Sequence, residues 1–509
     1  MPLLLRFVLQ VSIFDAAFGA RILFVPSPNN LSHYKSMLPL MEELTARGHD
    51  VHVWYTALSG QELFHDKITI HNCAVVVPGP SVKLQRKGIW NQANSRFQFL
   101  LGASLSKIEY LTLCCQQRPN SFHEVLTENW DLLVLDSLFN PYLVLFLETN
   151  GRPRFSTILF SPSLAIVSDR KAQGLPTNPI LQLPLQNAKY NIHDFTHRLN
   201  QVVEYLSDIV VQYIIKFRID DTLHSLACLN QTVGHMANQA LLYFHYEWQS
   251  LGEPSPTSQT TMALSEEKCP GVKDQFIPQH LWDFVENTTS KGTILAAFGH
   301  NINFKSAPKE AVDAIYNAFS QLPDYRFIWQ YGGPELPPQE NILFLKWIPQ
   351  TAILSHPKTK VFMSHSGIKS TYESICSKVP VLSFPIFGDQ FHHGILTCSQ
   401  ANAGRLVHSQ QFTSALLIEA LVDLLENDSY SKNMKQLNAI MSGKLRLPLD
   451  LAVHKVELLL KNPASYQQLI QLKGKLLNFC TYFNVDLILM CTTLLIGIAL
   501  LDSSVTKTV

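Results

Sequence analysis

FMSHSGIKSTYESICSKVPVLSFPIFGDQ, residues 362–390, decides how this 509-residue chain is to be read. A short apolar strand runs into His-Ser-Gly, a segment bearing Ser370 and Glu373 follows, and a second apolar strand ends in Gly-Asp-Gln. Strand, turn, helix and strand in that order make a repeat of a parallel sheet. Ligands of such sheets sit beyond the carboxyl ends of the strands, where helix amino termini offer N–H groups and positive partial charge to phosphates. His365 and Gly367 occupy that turn, and glycine lets a backbone come close. Lys369 and Ser370 add a cation and a hydroxyl, and Glu373 is positioned to accept two hydrogen bonds from a ribose diol. Asp389 and Gln390 offer an acceptor and an amide to sugar hydroxyls. Upstream, Trp347 and Gln350 in KWIPQ supply an aromatic plane and an amide for a base.

The alternation extends in both directions. RILFVPS (residues 21–27) reads as a strand, and residues 34–47 read as a helix with Met37, Met41 and Leu44 on one face and Gly48 ending it. HDVHVWYT and DLLVLD (residues 131–136) read as further strands. From residue 251 the text turns to GEPSPTSQTTMALSEE, rich in Pro, Ser and Thr, and is expected to be a linker over 251–290. A second series follows, with GTILAAF, YRFIWQY, KVFMS and PVLSF as strands and APKEAVDAIYNAFSQL and SALLIEALVDLLEN as amphipathic helices. The expected fold class is α/β, two doubly wound domains over 21–250 and 291–445.

Composition sets the partners. The 46% apolar content can supply two cores, in keeping with a prior of roughly 200 residues per domain. Forty basic residues balance forty acidic ones, which excludes the strong positive field expected of a nucleic-acid binder. Residues 1–20 end in small residues and read as a signal peptide, with an N-terminal strand as the alternative. Residues 479–501 hold the uncharged run LILMCTTLLIGIALL and read as a membrane span, the alternative being a buried amphipathic helix; residues 502–509 would be a short cytosolic tail. Lys473 and Lys475 precede that run and Lys507 follows it, so the signal peptide must set the orientation. Sequons at Asn30, Asn230, Asn287 and Asn427 suit a secretory route, and the nine scattered cysteines show neither a disulfide framework nor a zinc site.

From Trp347 to Gln390 the order W-x-P-Q, His-Pro at His356, F-x-x-H-x-G-x-x-S-x-x-E, V-P and D-Q resembles the signature of the UDP-glycosyltransferase family, in its membrane-bound animal branch that includes the UDP-glucuronosyltransferases. The resemblance covers essentially the chain that would remain after the signal peptide, including a C-terminal helical return over 446–478, the membrane span and the short tail. It implies a GT-B arrangement, two Rossmann-like domains facing across a cleft, the first taking the acceptor and the second the UDP-sugar. It implies that Trp347 stacks on the uracil, Gln350 contacts the nucleoside, His365 and Gly367 bind the diphosphate, Glu373 holds the ribose, and Asp389 with Gln390 holds the sugar. Ser366 stands where the family usually has a second Gly, Lys369 and His393 where it usually has Asn, and His300 where a small hydroxyl residue is usual. An endoplasmic-reticulum, single-pass protein with its catalytic part in the lumen is the expected setting.

Transfer to an acceptor hydroxyl needs a base, best oriented by a carboxylate on its other ring nitrogen. His33, in the first βα loop PNNLSH, and Asp136, ending the DLLVLD strand, both fall at the ligand edge of the first sheet. By resemblance they match the family's catalytic His and its partner Asp. The expected reaction is inverting displacement of UDP without a cofactor; no Asp-x-Asp occurs, so no metal is expected. UDP-glucuronate and UDP-glucose both suit Asp389 and Gln390. Phe139, Tyr142 and the apolar residues 209–215 suggest a pocket for small lipophilic alcohols or phenols. The oligomeric state stays open, a homo-oligomer included. The alternative from another class is a non-catalytic relative that binds UDP-sugar or a partner; a dinucleotide oxidoreductase is excluded by the first turn, which lacks G-x-G-x-x-G.

Overall fold

The computed structural model describes residues 19–76, 90, 96–118, 124–125, 128–138, 156–162, 173, 175, 178, 191–225, 240–248, 251, 258–264, 269, 276–299, 302–409, 412–443, 447–470, 477, 479–482 and 484–505. Two parallel sheets organise them. The first runs β3-β2-β1-β4-β5-β6-β7, built from β1 (Arg21–Val25), β2 (Asp50–Leu58), β3 (Thr69–Val75), β4 (Leu132–Asp136), β5 (Ser156–Ser161), β6 (Leu242–His245) and β7 (Thr261–Ala263). The second runs β10-β9-β8-β11-β12-β13, from β8 (Thr293–Ala297), β9 (Arg326–Gln330), β10 (Ile342–Leu345), β11 (Thr359–Ser364), β12 (Val381–Ser383) and β13 (Gly404–Leu406). Both orders reverse direction between the first and fourth strand of their series, which opens a crevice at the carboxyl edge.

Strand burial explains why these segments read as continuous apolar runs. LLVLD of β4 and TILAA of β8 are buried at every position, because helices cover both faces of a parallel sheet. Helix α1 (Leu31–Ala46) packs Met37, Leu40, Met41 and Leu44 onto the first sheet, and Gly48, at φ +90°, turns the chain into β2. Pro39 lies inside α1 without ending it. Helix α2 (Arg96–Gln117) covers the other face through Ile108, Leu111 and Cys114, and α3 (Phe195–Ser225) packs on α2.

Three expectations need correction. Residues 251–290 are not purely a linker: β7 adds a seventh strand to the first sheet, and α4 (Gln279–Val285) packs Leu281 and Val285 into the second domain. Three strand residues and one short helix carry too little periodicity to stand out from Pro/Ser/Thr-rich text. Val210, Tyr213 and Ile214, expected in an acceptor pocket, are exposed on α3, because that helix turns Gln201, Tyr205 and Val211 inward instead. Finally, the cysteines do form bridges, Cys73–Cys114 and Cys269–Cys376, whose separations of 41 and 107 residues no local spacing could reveal. The expected signal peptide lies almost entirely outside the described residues, as do His300, Phe139 and Tyr142.

Near the C-terminus, residues Pro448–Lys461 bury Ala452, Val453, Val456 and Leu459 in the core that contains Met37 and Met41, and Arg47 reaches Glu457 at 3.4 Å. Residues Val485–Val505 form a helix, but no helix among the described residues is long and apolar enough to cross a membrane.

Candidate active site

The first half of the site forms where β1 hands over to α1. Expected in a loop, His33 instead lies in the first turn of α1, because Asn30 caps the helix and its side chain accepts the His33 N–H. That turn aims the ring at the end of β4. His33 Nδ1 meets Asp136 Oδ2 at 2.6 Å, and the carboxylate is fully buried. The same Oδ2 accepts the Ser27 N–H at 2.9 Å, while Oδ1 accepts the Leu138 N–H at 2.8 Å. Backbone donors on both oxygens fix the position of the Asp136 carboxylate, and that fixed position orients the imidazole.

The second half belongs to the stretch 362–390. Strand β11 ends at Ser364, and α7, counted after α5 (Lys309–Ser320) and α6 (Gln350–Leu354), spans Ile368–Ser377. Gly367 caps α7 in an extended conformation, so its requirement is space: a Cβ there would lie 2.5 Å from the His365 ring. Gly299, at φ +70°, lies against the same ring, with a Cβ position 3.0 Å away. His365 is thus boxed between two glycines at the amino terminus of α7.

Around α7 the residues expected at the nucleoside converge. Gln350 Nε2 donates to Glu373 Oε2 at 2.6 Å and to Ser370 Oγ at 3.2 Å, joining the W-x-P-Q segment to the position expected to hold the ribose. Burial pushes the Glu373 carboxyl above the ordinary glutamate range, against the opposing effects of Gln350, Lys369 and Lys35. Trp347 is 70% exposed, a large aromatic face left open for a base. Asp389 and Gln390 open α8 (Gln390–Gly394); Gln390 is buried, and its Oε1 accepts the N–H groups of Ile386 and Phe387 at 2.9 and 3.1 Å. That oxygen shapes the Pro-Ile-Phe-Gly turn, leaving the amide nitrogen as the part suited to a sugar.

The two halves touch. Lys369 Nζ donates to the Ser32 carbonyl at 3.2 Å, next to His33, and lies 5.6 Å from the Tyr246 ring. Trp248 packs on His393 at 5.1 Å between ring centroids, and His393 Nδ1 lies 4.0 Å from Asp389 Oδ2. Burial lowers the His393 imidazole. Neither Tyr246 nor Trp248 was legible as a site residue, since each serves the cleft only through a partner more than a hundred residues away.

Ser366 sits at φ +60°, the left-handed region, and its hydroxyl meets Ser383 Oγ at 2.6 Å in a fully buried setting. A side chain in this conformation costs roughly 1–2 kcal/mol, which glycine avoids. Ser366→Val, branched at Cβ and without the hydroxyl, is expected to lower stability by about 2 kcal/mol or more, read as a drop in Tm. Ser366→Gly is expected to stay within about 1 kcal/mol of the parent, the relief of strain offsetting the lost hydrogen bond. Equal Tm values for the parent and the valine variant would contradict this account.

Comparison with known proteins identifies the family and the fold. The family model described as "UDP-glucoronosyl and UDP-glucosyl transferase" matches residues 157–507. A UDP-glucuronosyltransferase of Pleuronectes platessa is 26% identical over 325 residues, covering 62% of this chain and 66% of its own length. The Homo sapiens 2-hydroxyacylsphingosine 1-beta-galactosyltransferase is 24% identical over 523 residues, covering 97% and 89%. Among solved structures, Medicago truncatula UGT71G1 complexed with UDP-glucose superposes with a TM-score of 0.56 at 15% identity, covering 87% of this chain and 98% of its own. The glycotransferase of kitacinnamycin gives 0.56 at 17% identity, covering 87% and 100%. At such identities the likeness shows the fold alone, the GT-B pairing of two parallel-sheet Rossmann-like domains.

Proposed function

Because this chain belongs to the UDP-glucuronosyl and UDP-glucosyl transferase family, we propose that it moves a hexosyl group, glucuronosyl or glucosyl, from a UDP-sugar to a hydroxyl of a small lipophilic acceptor, with inversion and without a metal. The observation that carries the reading is the 2.6 Å contact between His33 Nδ1 and the buried Asp136, at a cleft that Lys369 closes from the other domain. With Nδ1–H donated to the carboxylate, Nε2 is the nitrogen that takes the acceptor proton. The acceptor oxygen then bonds to the anomeric carbon from the face opposite the diphosphate. The bond from that carbon to the diphosphate oxygen breaks, and its electron pair leaves on UDP. The amino terminus of α7, His365 and Lys369 are the groups suited to receive that charge, fixed in place before the reaction begins. The reading that no metal takes part rests on these donors and on the lack of an Asp-x-Asp motif in the sequence.

We also propose a lumenal catalytic part anchored by the C-terminal helix, in the endoplasmic-reticulum membrane. Two disulfides suit an oxidising compartment. Leu487, Ile488, Leu489, Leu494, Leu495, Ile496 and Ile498 are all more than half exposed on that helix, a surface that suits lipid better than water.

The test is UDP release by the whole protein in membranes, with UDP-glucuronate and UDP-glucose in parallel against a panel of phenols, with and without chelator. Acceptor-dependent release with one donor, undiminished by chelator, is the expected result. Loss of turnover in chelator would overturn the metal-free mechanism. UDP binding with no release from either donor would favour a non-catalytic relative.

A further inference from the structure

Helix α2 reaches into the catalytic corner with a group that the reaction above does not use. Lys107, on its inner side, donates its ammonium to the Pro28 carbonyl at 2.6 Å. One turn on, Tyr110 OH accepts from Asn29 Nδ2 at 2.8 Å. Pro28 and Asn29 are the residues immediately before Asn30, the cap of α1, and Asn29 holds a left-handed φ of +47° with its N–H on Thr56 O. Two side chains of α2 therefore clamp the segment that delivers His33. The helix itself cannot drift, because Cys114 is bridged to Cys73 on β3 and Gln117 bonds both backbone groups of Val76.

Charge adds a second role. Asp136 is fully buried and acts on Lys107 as a favourable opposite charge. Resting on the reading of His33 as the base, we propose that Lys107 is a positioning residue for the transfer: it fixes the loop that carries His33 and sets a positive charge against the buried Asp136 beneath that histidine. Tyr110 on α2 itself also faces it, its ring centroid 5.7 Å from the ammonium; Tyr55 on β2 interacts with Tyr110, and burial pushes the Tyr55 hydroxyl up to about 12, so it stays neutral.

Burial also lowers Lys107 to about 8, against the opposing pull of Asp136. The ammonium is thus present below that pH and lost above it, and turnover should decline on the alkaline side as it goes.

The experiment compares Lys107→Met, Lys107→Arg and His33→Ala with the parent in UDP release across a pH series, with UDP binding followed in each. Lys107→Met is expected to lose about 10- to 100-fold in kcat with little change in donor KM. Lys107→Arg, which keeps its charge at every pH used, should retain most of kcat and lose the alkaline decline. A purely structural lysine would change Tm and kcat while leaving the alkaline limb in place, and that result overturns the proposal. Should the methionine variant fail to bind UDP, the arginine variant decides: an alkaline limb unchanged from the parent overturns the proposal, and its disappearance supports it. Parent-like turnover in His33→Ala would instead remove the base itself, a failure distinct from the first because there His33 remains essential.

Discussion

His33→Ala is expected to lower kcat by about a thousandfold while UDP binding survives. The two halves of the site explain the split. His33 and Asp136 stand on the first sheet, whereas every residue assigned to the nucleotide stands on the second, so removing the base leaves the donor pocket intact. Asp136→Asn tests the same unit from the other side. An amide in place of the carboxylate can present its NH2 to Nδ1, which favours the tautomer with the proton on Nε2 and leaves nothing there to accept the acceptor's proton. A loss of similar size is expected, and the double variant should be little worse than either single one, because the pair acts as one device. Additive losses, or turnover near that of the parent in either variant, would refute the assignment. The measurement is kcat for acceptor-dependent UDP release, alongside direct titration with UDP.

The meeting of His33 and Asp136 was legible because each marks the end of an element with a strong signal of its own. DLLVLD can only be a buried strand, so its last residue must face the ligand edge; PNNLSH must follow the first strand, so it faces the same edge. The same logic found His365, Gly367 and Glu373. What escaped notice shares a different property. Lys107 and Trp248 act through residues 79 and more positions away, and nothing in their immediate neighbours distinguishes them from core or surface side chains. Cys376 lies in α7 as an ordinary small residue until Cys269 arrives beside it. Ser366 could be recognised as standing where glycine is usual, but only the backbone angle turns that departure into strain. Sequence order therefore reported which groups line the cleft, while the contacts that hold them there depend on how distant elements pack.

Glu373→Gln is expected to raise the donor KM by roughly 10- to 100-fold, with kcat at saturation changed far less. A carboxylate accepts from two ribose hydroxyls and from Gln350 at once; an amide presents one acceptor oxygen, and its NH2 faces a donor where an acceptor is required. Substrate and transition state share the ribose, so the lost binding is uniform and appears in KM. The pH dependence carries an independent sign. Burial raises the Glu373 carboxyl, so in the free protein the ionised form is present above that raised pKa and lost as pH falls through it. Donor affinity should therefore weaken on the acid side at a pH above the ordinary glutamate range, and the glutamine variant should not show this dependence. Affinity measured by UDP titration separates the effect from titration of the base. If the parent holds UDP equally well down to the ordinary carboxylate range, or if Glu373→Gln binds UDP as tightly as the parent, the ribose is held by something else, and the 2.6 Å bond to Gln350 is a strut between α6 and α7 with no part in recognition.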